Sequence, residues 1–336
     1  MPLSGGGTAR GGRGRPSSLK GVLQGIRLVD HHAHGILLEQ PSSLDEFRGL
    51  FSESPDPRQW PHVATGITYR RVLRELATLF DLEPTETAVY EHRVTSDPAG
   101  YASRLLRATN TGVLLVDTGF PPDGTSWRDL GELAACEALP VLRIESGGDV
   151  ATARTSGFVA LKTIAAYRGG LDRISDEVVA ALEANETTGA PLPVQVHCGL
   201  GDSDLWLARA DPTHLKPLIE RFRETPFVLL HCYPFVRQAG WLAHVYGNVY
   251  FDLSLTIPHI ARPTEAVREA LELAPVSKLL YASDASRAPE LYYVAAKWWR
   301  EALAVVLADE LESAEAEDAG RRILRENALE LYGLAG

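Results

Sequence analysis

The sequence predicts an α/β fold: a (β/α)8 barrel of the TIM type with a helical insertion after its first strand. Three observations carry this. Short runs rich in Val, Leu and Ile recur with little polar alternation, which is how strands buried on both faces read. Amphipathic stretches of helical period lie between most of them. The runs number eight, and eight strand–helix units close naturally into a barrel, with an open doubly wound sheet as the runner-up.

In chain order, residues 1–20 are rich in Gly, Ser and Arg without an apolar core, so they read as a disordered tail and not a signal peptide. The barrel then occupies residues 21–336. The first strand falls at Leu28–Val29. From Gly35 to about Asn110 no strand is legible, but helical periodicity is, in Tyr69 to Phe80 and Tyr101 to Ala108. This is the insertion, about 36–110, expected over the barrel mouth as a substrate lid. Further strands are expected at Gly112–Val116, Pro140–Ile144, Phe158–Leu161, Leu192–Val196, Phe227–Leu230, Val249–Phe251 and Lys278–Tyr281. Ser175 to Leu182 and Pro263 to Leu273 read as helices between them. Asp211-Pro212-Thr213 opens another, with Pro where a first turn tolerates it, and Leu215, Leu218, Ile219 and Phe222 form its apolar stripe. Pro289 to Leu307 is a long helix bearing Trp298 and Trp299, and Arg321 to Tyr332 a last one that packs back on the barrel.

Composition narrows the function classes. The chain has 336 residues, 44 acidic against 33 basic, for a formal charge of −11. That balance argues against a nucleic-acid or anionic-membrane partner. No apolar run reaches the ~18 residues of a membrane span. Three cysteines, Cys136, Cys198 and Cys232, in apolar surroundings fit reduced cytoplasmic thiols. The expected partner is a small-molecule substrate, and homo-oligomerisation is left open.

The histidines carry the chemistry. His32 and His34 stand at the end of the first strand, where i and i+2 point the same way. His197 ends the fifth strand, His231 the sixth and Asp284 the eighth, each directly after an apolar run. Strand C-termini line the catalytic face of a barrel. Imidazoles with a carboxylate match the preferences of Zn²⁺ and similar divalent metals, Mn and Fe included. Lys162 ends the fourth strand and points into the same cavity. Carbamylated, it would bridge two metals; otherwise it is a neutral catalytic amine or a cation for an anionic substrate group. His31 faces away, and His62, His92, His214, His244 and His259 read as structural, although His259 lies at the mouth of the seventh strand.

The ordered set of His-x-His, Lys, His, His and Asp resembles the metal signature of the amidohydrolase superfamily, over roughly Arg27 to Leu334. The text is more closely similar to the amidohydrolase-2 type domain that FluG-like and nodulin-like proteins carry ahead of a glutamine synthetase domain. The resembling stretches are Leu161 to Arg168, Val228 to Phe235, Asn248 to Ser254, and Ser283-Asp284 with Pro289 to Tyr293. No synthetase segment follows Gly336, so functions needing that fusion are not expected of this sequence. Many amidohydrolase-2 members are mononuclear, so the resemblance leaves Lys162 open between one and two metals per chain.

The resemblance implies hydrolysis of a C–N bond. Asp284 would serve as general base and then general acid, and His231 would ligate a second metal or polarise the carbonyl. Arg168, Glu145 and Glu290 are the substrate-binding candidates, with Arg143 and Arg287 nearby; Arg168 offers a fork for a carboxylate. The substrate expected is a carboxylate-bearing amide, such as a γ-glutamyl amide. A metal-dependent decarboxylase is the alternative, and a non-catalytic binding barrel the third reading.

Overall fold

The structure is a computed structural model that describes residues 18–335. Seven parallel strands form one curled sheet in sequential order: β1 (Leu28–Ala33), β2 (Thr111–Asp117), β3 (Glu137–Arg143), β4 (Ala160–Thr163), β5 (Val194–Cys198), β6 (Phe227–His231) and β7 (Val249–Phe251). Parallel neighbours need crossovers: α7 (Trp127–Ala134) joins β2 to β3, α8 (Asp176–Thr187) β4 to β5, α9 (Lys216–Arg221) β5 to β6 and α10 (Val236–Val245) β6 to β7, while α12 (Pro263–Leu271) follows β7. The concave face is filled by Val29, Val113, Leu115, Val141, Ala160, Val228, Leu230 and Leu280. Ala328 and Tyr332 of the C-terminal helix α15 (Asn327–Tyr332) join this inner cluster.

The eighth strand expected at Lys278–Tyr281 is not formed. Val276–Lys278 is a 3-10 turn, and the segment from Leu279 onward is irregular. It still bridges the two ends of the sheet. Leu280 N–H donates to Phe251 of β7 at 3.0 Å, and Asp284 N–H to His32 of β1 at 2.9 Å. Further bonds run to the β1 side, from His31 N–H to Tyr281 O at 3.4 Å and from His34 N–H to Ala285 O at 3.0 Å, but they are interspersed with non-strand partners, and no continuous ladder forms. Tyr281 N–H goes to Ile323 O at 3.0 Å, Ser283 N–H to the Asp30 carboxylate at 2.9 Å, and Leu279 O accepts from Asn327 Nδ2 at 2.9 Å.

At the N-terminus, α1 (Leu19–Gly25) begins with Ser18 as N-cap, so Leu19 and Lys20 are helical and not tail. The rest of the expected tail, residues 1–17, lies outside the described residues. Between β1 and β2 lie α2 (Leu44–Gly49), α3 (Trp60–Val63), α4 (Ile67–Phe80), α5 (Glu86–Thr95) and α6 (Pro98–Ala108). Ser43, Thr85 and Asp97 cap three of these by accepting backbone N–H bonds. Tyr69, Val72, Leu73, Leu76 and Ala77 give α4 its buried face, at the spacing one helical side requires. The short α11 (Thr256–His259) follows β7, and α4 reaches this region through Thr68 Oγ1, which donates to His259 O at 3.4 Å.

The long helix α13 (Pro289–Glu310) joins the outer layer to the segment that closes the ring. Buried Arg300 donates to the carbonyls of Leu23, Ile26 and Thr109 at 2.8–3.0 Å, tying α13 to the entrances of β1 and β2. Trp299, fully buried, donates its Nε1–H to Ala282 O at 3.1 Å, two residues before Asp284. After α14 (Ser313–Arg321) the chain passes through a π-helical stretch, Arg322–Glu326, into α15, so the single last helix expected over 321–332 is interrupted. Among the described residues no helix is long and apolar enough to cross a membrane. Truncating Trp299 removes a large core side chain and the Ala282 bond together. Trp299→Ala is expected to cost about 3–5 kcal/mol in urea unfolding, with Trp299→Phe costing clearly less.

Candidate metal centre

Parallel strands deliver their C-terminal residues to one end of the barrel, and there the structure gathers the polar side chains that the apolar runs end on. His32, His34 and Asp284 offer ligand atoms that all lie within 4.8 Å of one another. Asp284 Oδ1 is 3.0 Å from His32 Nε2 and 3.1 Å from His34 Nε2. Opposite them, His197 Nδ1 and His231 Nε2 approach to 3.0 Å, and His231 Nδ1 lies 3.6 Å from Asp284 Oδ2. Lys162 Nζ is 3.4 Å from His32 Nε2. Lys162 therefore stands between the two groups, and His197, His231 and Lys162 fall outside the tight trio.

The backbone is bent to make this possible. His231, Cys232, Asp284 and Arg287 have φ between 50° and 67°, in the left-handed region that non-glycine residues rarely adopt. Such conformations persist where surrounding structure over-determines them, and here they sit at the ends of β6 and of the closing segment.

Burial sets the charges. It pushes His32 down to about 4, helped by the Lys162 ammonium and opposed by Asp284. It also holds His197 and His231 well below the ordinary imidazole value. These rings are neutral at pH 7, the form a metal requires. Burial lowers Lys162 as well, against the pull of Asp284 and Asp117. For Asp284 burial acts upward, but His231, His32 and His34 outweigh it and keep the carboxyl well below the usual range. His34 Nδ1 and His197 Nε2 are buried and have no hydrogen-bond partner among the described residues. Imidazoles with unspent nitrogens around one ionised carboxylate fit a divalent cation.

A cavity of about 330 Å³ opens over this centre. Phe120, Tyr167 and Leu255 line it beside the charged Glu53, Arg143, Arg168, Asp202, Asp204 and Arg287. Arg143 is committed to Asp117, with Nη2–Oδ2 at 2.6 Å. Among the described residues neither Arg168 nor Arg287 has a carboxylate within 4.0 Å; Asp172, the structural partner considered for Arg168, lies instead beside Arg209 and Arg173.

Two expected substrate residues are elsewhere. Glu145 Oε1 accepts from Thr163 Oγ1 at 2.6 Å and from Ile164 N–H at 2.9 Å, so it secures the end of β4 and does not line the cavity. Glu290, in the first turn of α13, is fully buried against Arg93 of α5, with Nε–Oε1 at 3.1 Å, and is likewise absent from the cavity wall. Both corrections have one cause: a carboxylate near the site in sequence is taken by the nearest buried donor. Asp117 was the residue missed. It ends β2 as His197 ends β5, held at about 2 by His34 and Arg143 against its burial, and lies 3.9 Å from His34 Nδ1. The apolar run Gly112–Val116 followed by Asp was the signal available for it.

The amidohydrolase-2 family model, described as Amidohydrolase, matches residues 150–334, more than half of the chain. The chain is 28% identical over 408 aligned residues to protein fluG of Emericella nidulans, covering 95% of this chain and 47% of that protein. It thus spans about half the length of that curated relative. Among solved structures, a provisionally named metal-dependent hydrolase from Lactobacillus casei superposes with a TM-score of 0.83 at 25% identity, covering 94% of this chain and 97% of the other. A uronate isomerase from Bacillus halodurans superposes with a TM-score of 0.68 at 13% identity, over 95% and 96% of the two chains, a likeness of fold alone.

One titration follows from β1. Asp30 is pushed by burial from its ordinary 3.8 up to about 7, against the lowering effect of its bonds to Ser283. The folded chain therefore holds this proton more tightly than the unfolded chain, and between pH 4 and 7 it binds more protons. Stability from this group falls as pH rises through that window. Asp30→Asn is expected to flatten the fall, so its urea midpoint should gain on wild type from pH 5 to pH 8.

Proposed function

The chain belongs to the amidohydrolase family, and from that premise we propose that it is a metal-dependent hydrolase of a C–N bond in a small carboxylate-bearing substrate. The observation that carries the reading is the ionised, buried Asp284 carboxylate placed against the imidazoles of His32 and His34 on the floor of a cavity. His32, His34 and Asp284 would hold one divalent ion, zinc first and Mn or Fe as alternatives, and His197 and His231 with a modified Lys162 would hold a second. A cation there supplies Lewis acidity, polarising an oxygen and lowering the pKa of water.

The side chains of the chain do the rest. Asp284 is ionised at neutral pH and accepts the proton of the attacking water, then returns it to the departing nitrogen. Arg168, with no carboxylate within 4.0 Å among the described residues, holds the substrate's own carboxylate in a bidentate fork at the cavity wall. Tyr167 and Phe120 line the same cavity and pack against His197 and His34. The Lys162 amine, made easier to deprotonate by burial, is suited to carbamylation, which needs a neutral amine.

Kinetics separate these roles. With γ-glutamyl amides as first substrates, Asp284→Asn should lower kcat by ~10²–10⁴-fold, whereas Arg168→Ala should act mainly on KM. Amine or ammonia release supports hydrolysis; release of CO2 without an amine would assign the decarboxylase chemistry instead. Elemental analysis counts the metals. A bridged pair should give close to two ions per chain, with Lys162→Ala losing at least one, and one ion in both proteins would make the site mononuclear.

A further inference from the structure

The site histidines are held from behind by a buried hydrogen-bond network. Gln195 is fully buried in β5. Its Nε2 lies 2.6 Å from the carbonyl oxygen of His31 and 3.1 Å from the Tyr332 hydroxyl, and its Oε1 lies 2.8 Å from His32 Nδ1. A carbonyl oxygen only accepts, so the amide nitrogen must face His31 and the amide oxygen must face His32. That oxygen also only accepts, so His32 Nδ1 carries the proton. His32 Nε2 keeps its lone pair and meets Asp284 Oδ1 at 3.0 Å. With no proton between them the pair needs a cation nearby; the Lys162 ammonium lies 3.4 Å from Nε2, and a metal between the two atoms would serve there as well.

The same logic holds at His231. Asp252 Oδ1 accepts the backbone N–H of His231 at 2.7 Å, that of Ser254 at 3.0 Å and the Ser254 hydroxyl at 2.8 Å. Ser254 has then given its one proton, so its Oγ accepts from His231 Nδ1 at 2.7 Å. His231 Nε2 is left bare toward His197. The two halves are joined: Asp252 Oδ2 lies 2.9 Å from His31 Nε2, and His31 Nδ1 lies 3.1 Å from the Tyr332 hydroxyl of α15. His31, Gln195, Asp252, Ser254 and Tyr332 are each at most 5% exposed.

We propose that Gln195 and Ser254 are positioning residues of the metal centre, fixing His32 and His231 as Nδ1–H tautomers so that the His32 Nε2 lone pair faces Asp284 and that of His231 faces His197. Tyr332 ties that setting to the C-terminal helix. The inference rests on the reading of these histidines as metal ligands. Outer partners of ligating histidines are worth about 10–100-fold in metal affinity.

The test uses the full chain, labelled with ¹⁵N-histidine and stripped of metal. Long-range ¹H–¹⁵N spectra should show His32 and His231 as Nδ1–H tautomers. Gln195→Leu should shift His32 toward the Nε2–H form with His231 unchanged, and Ser254→Ala should do the reverse. Zinc affinity, read by competition with a chromophoric chelator, should fall ~10–100-fold in each. Where Gln195→Leu does not fold, Ser254→Ala decides alone. Folded variants with wild-type tautomers and wild-type zinc affinity would overturn the proposal. A wild-type chain that binds zinc but carries His32 as Nε2–H would overturn the positioning alone. One that shows both tautomers yet binds no zinc, manganese or iron would overturn the metal reading alone.

Discussion

The carboxylate of Asp284 is the constraint around which the barrel is arranged. It is 8% exposed and ionised, and a buried charge is costly unless it is met by specific partners. The side chains gathered around it come from elements far apart in sequence: His32 and His34 at β1, His231 from β6 and, beside His32, Lys162 from β4. A parallel sheet is what can bring them together, because every strand ends on the same side. Behind the level of Asp284 lie the apolar side chains of Val29, Val113, Leu115 and Val228, joined by the buried polar network of Gln195, His31, Asp252 and Tyr332.

Asp284 is not on a strand, and its position is secured by the C-terminal part of the chain. Ile323 O and Asn327 Nδ2 take backbone groups of Tyr281 and Leu279, Trp299 takes Ala282 O, and Asp30 takes Ser283 N–H. These contacts replace a β-ladder with side-chain and helix partners. The exchange frees the segment from strand geometry, so Asp284 and Arg287 can adopt positive φ. One helix thus supports the site twice, since Asn327 steadies the closing segment and Tyr332 steadies Gln195 behind His32.

Of the residues gathered at the centre, Lys162, His197 and His231 were legible because each stands directly after an apolar run, and a strand buried on both faces leaves such a residue at the mouth. Seven strands were legible for the same reason, although β3 starts three residues earlier than read and Lys162 lies inside β4. The eighth failed because its apolar text, Leu279 to Ala282, is satisfied by burial alone, and burial does not specify a ladder. Glu145 and Glu290 failed because sequence proximity to Lys162 and Asp284 does not show which donor claims a carboxylate. Gln195 was invisible as a functional residue: a single polar side chain within Val194 to Val196 reads as an exception in a core strand until its partners are known.

The barrel floor cannot by itself choose a reaction, since one fold hosts several chemistries. Imidazoles around a carboxylate can favour any step that develops negative charge on oxygen. The discriminating residues are those at the mouth. Arg168 and Arg287 lack carboxylate partners, while Arg143 is already neutralised by Asp117. In the proposed reading an anionic group is drawn to Arg168, while Asp202, Asp204 and Glu53 line the same opening with the opposite charge. Anchoring there would keep the substrate's carboxylate off the residues gathered around Asp284 and leave that centre for a second polar group of the same molecule. That separation is what a hydrolase of a carboxylate-bearing amide needs, whereas a decarboxylase would need the carboxylate itself at the centre.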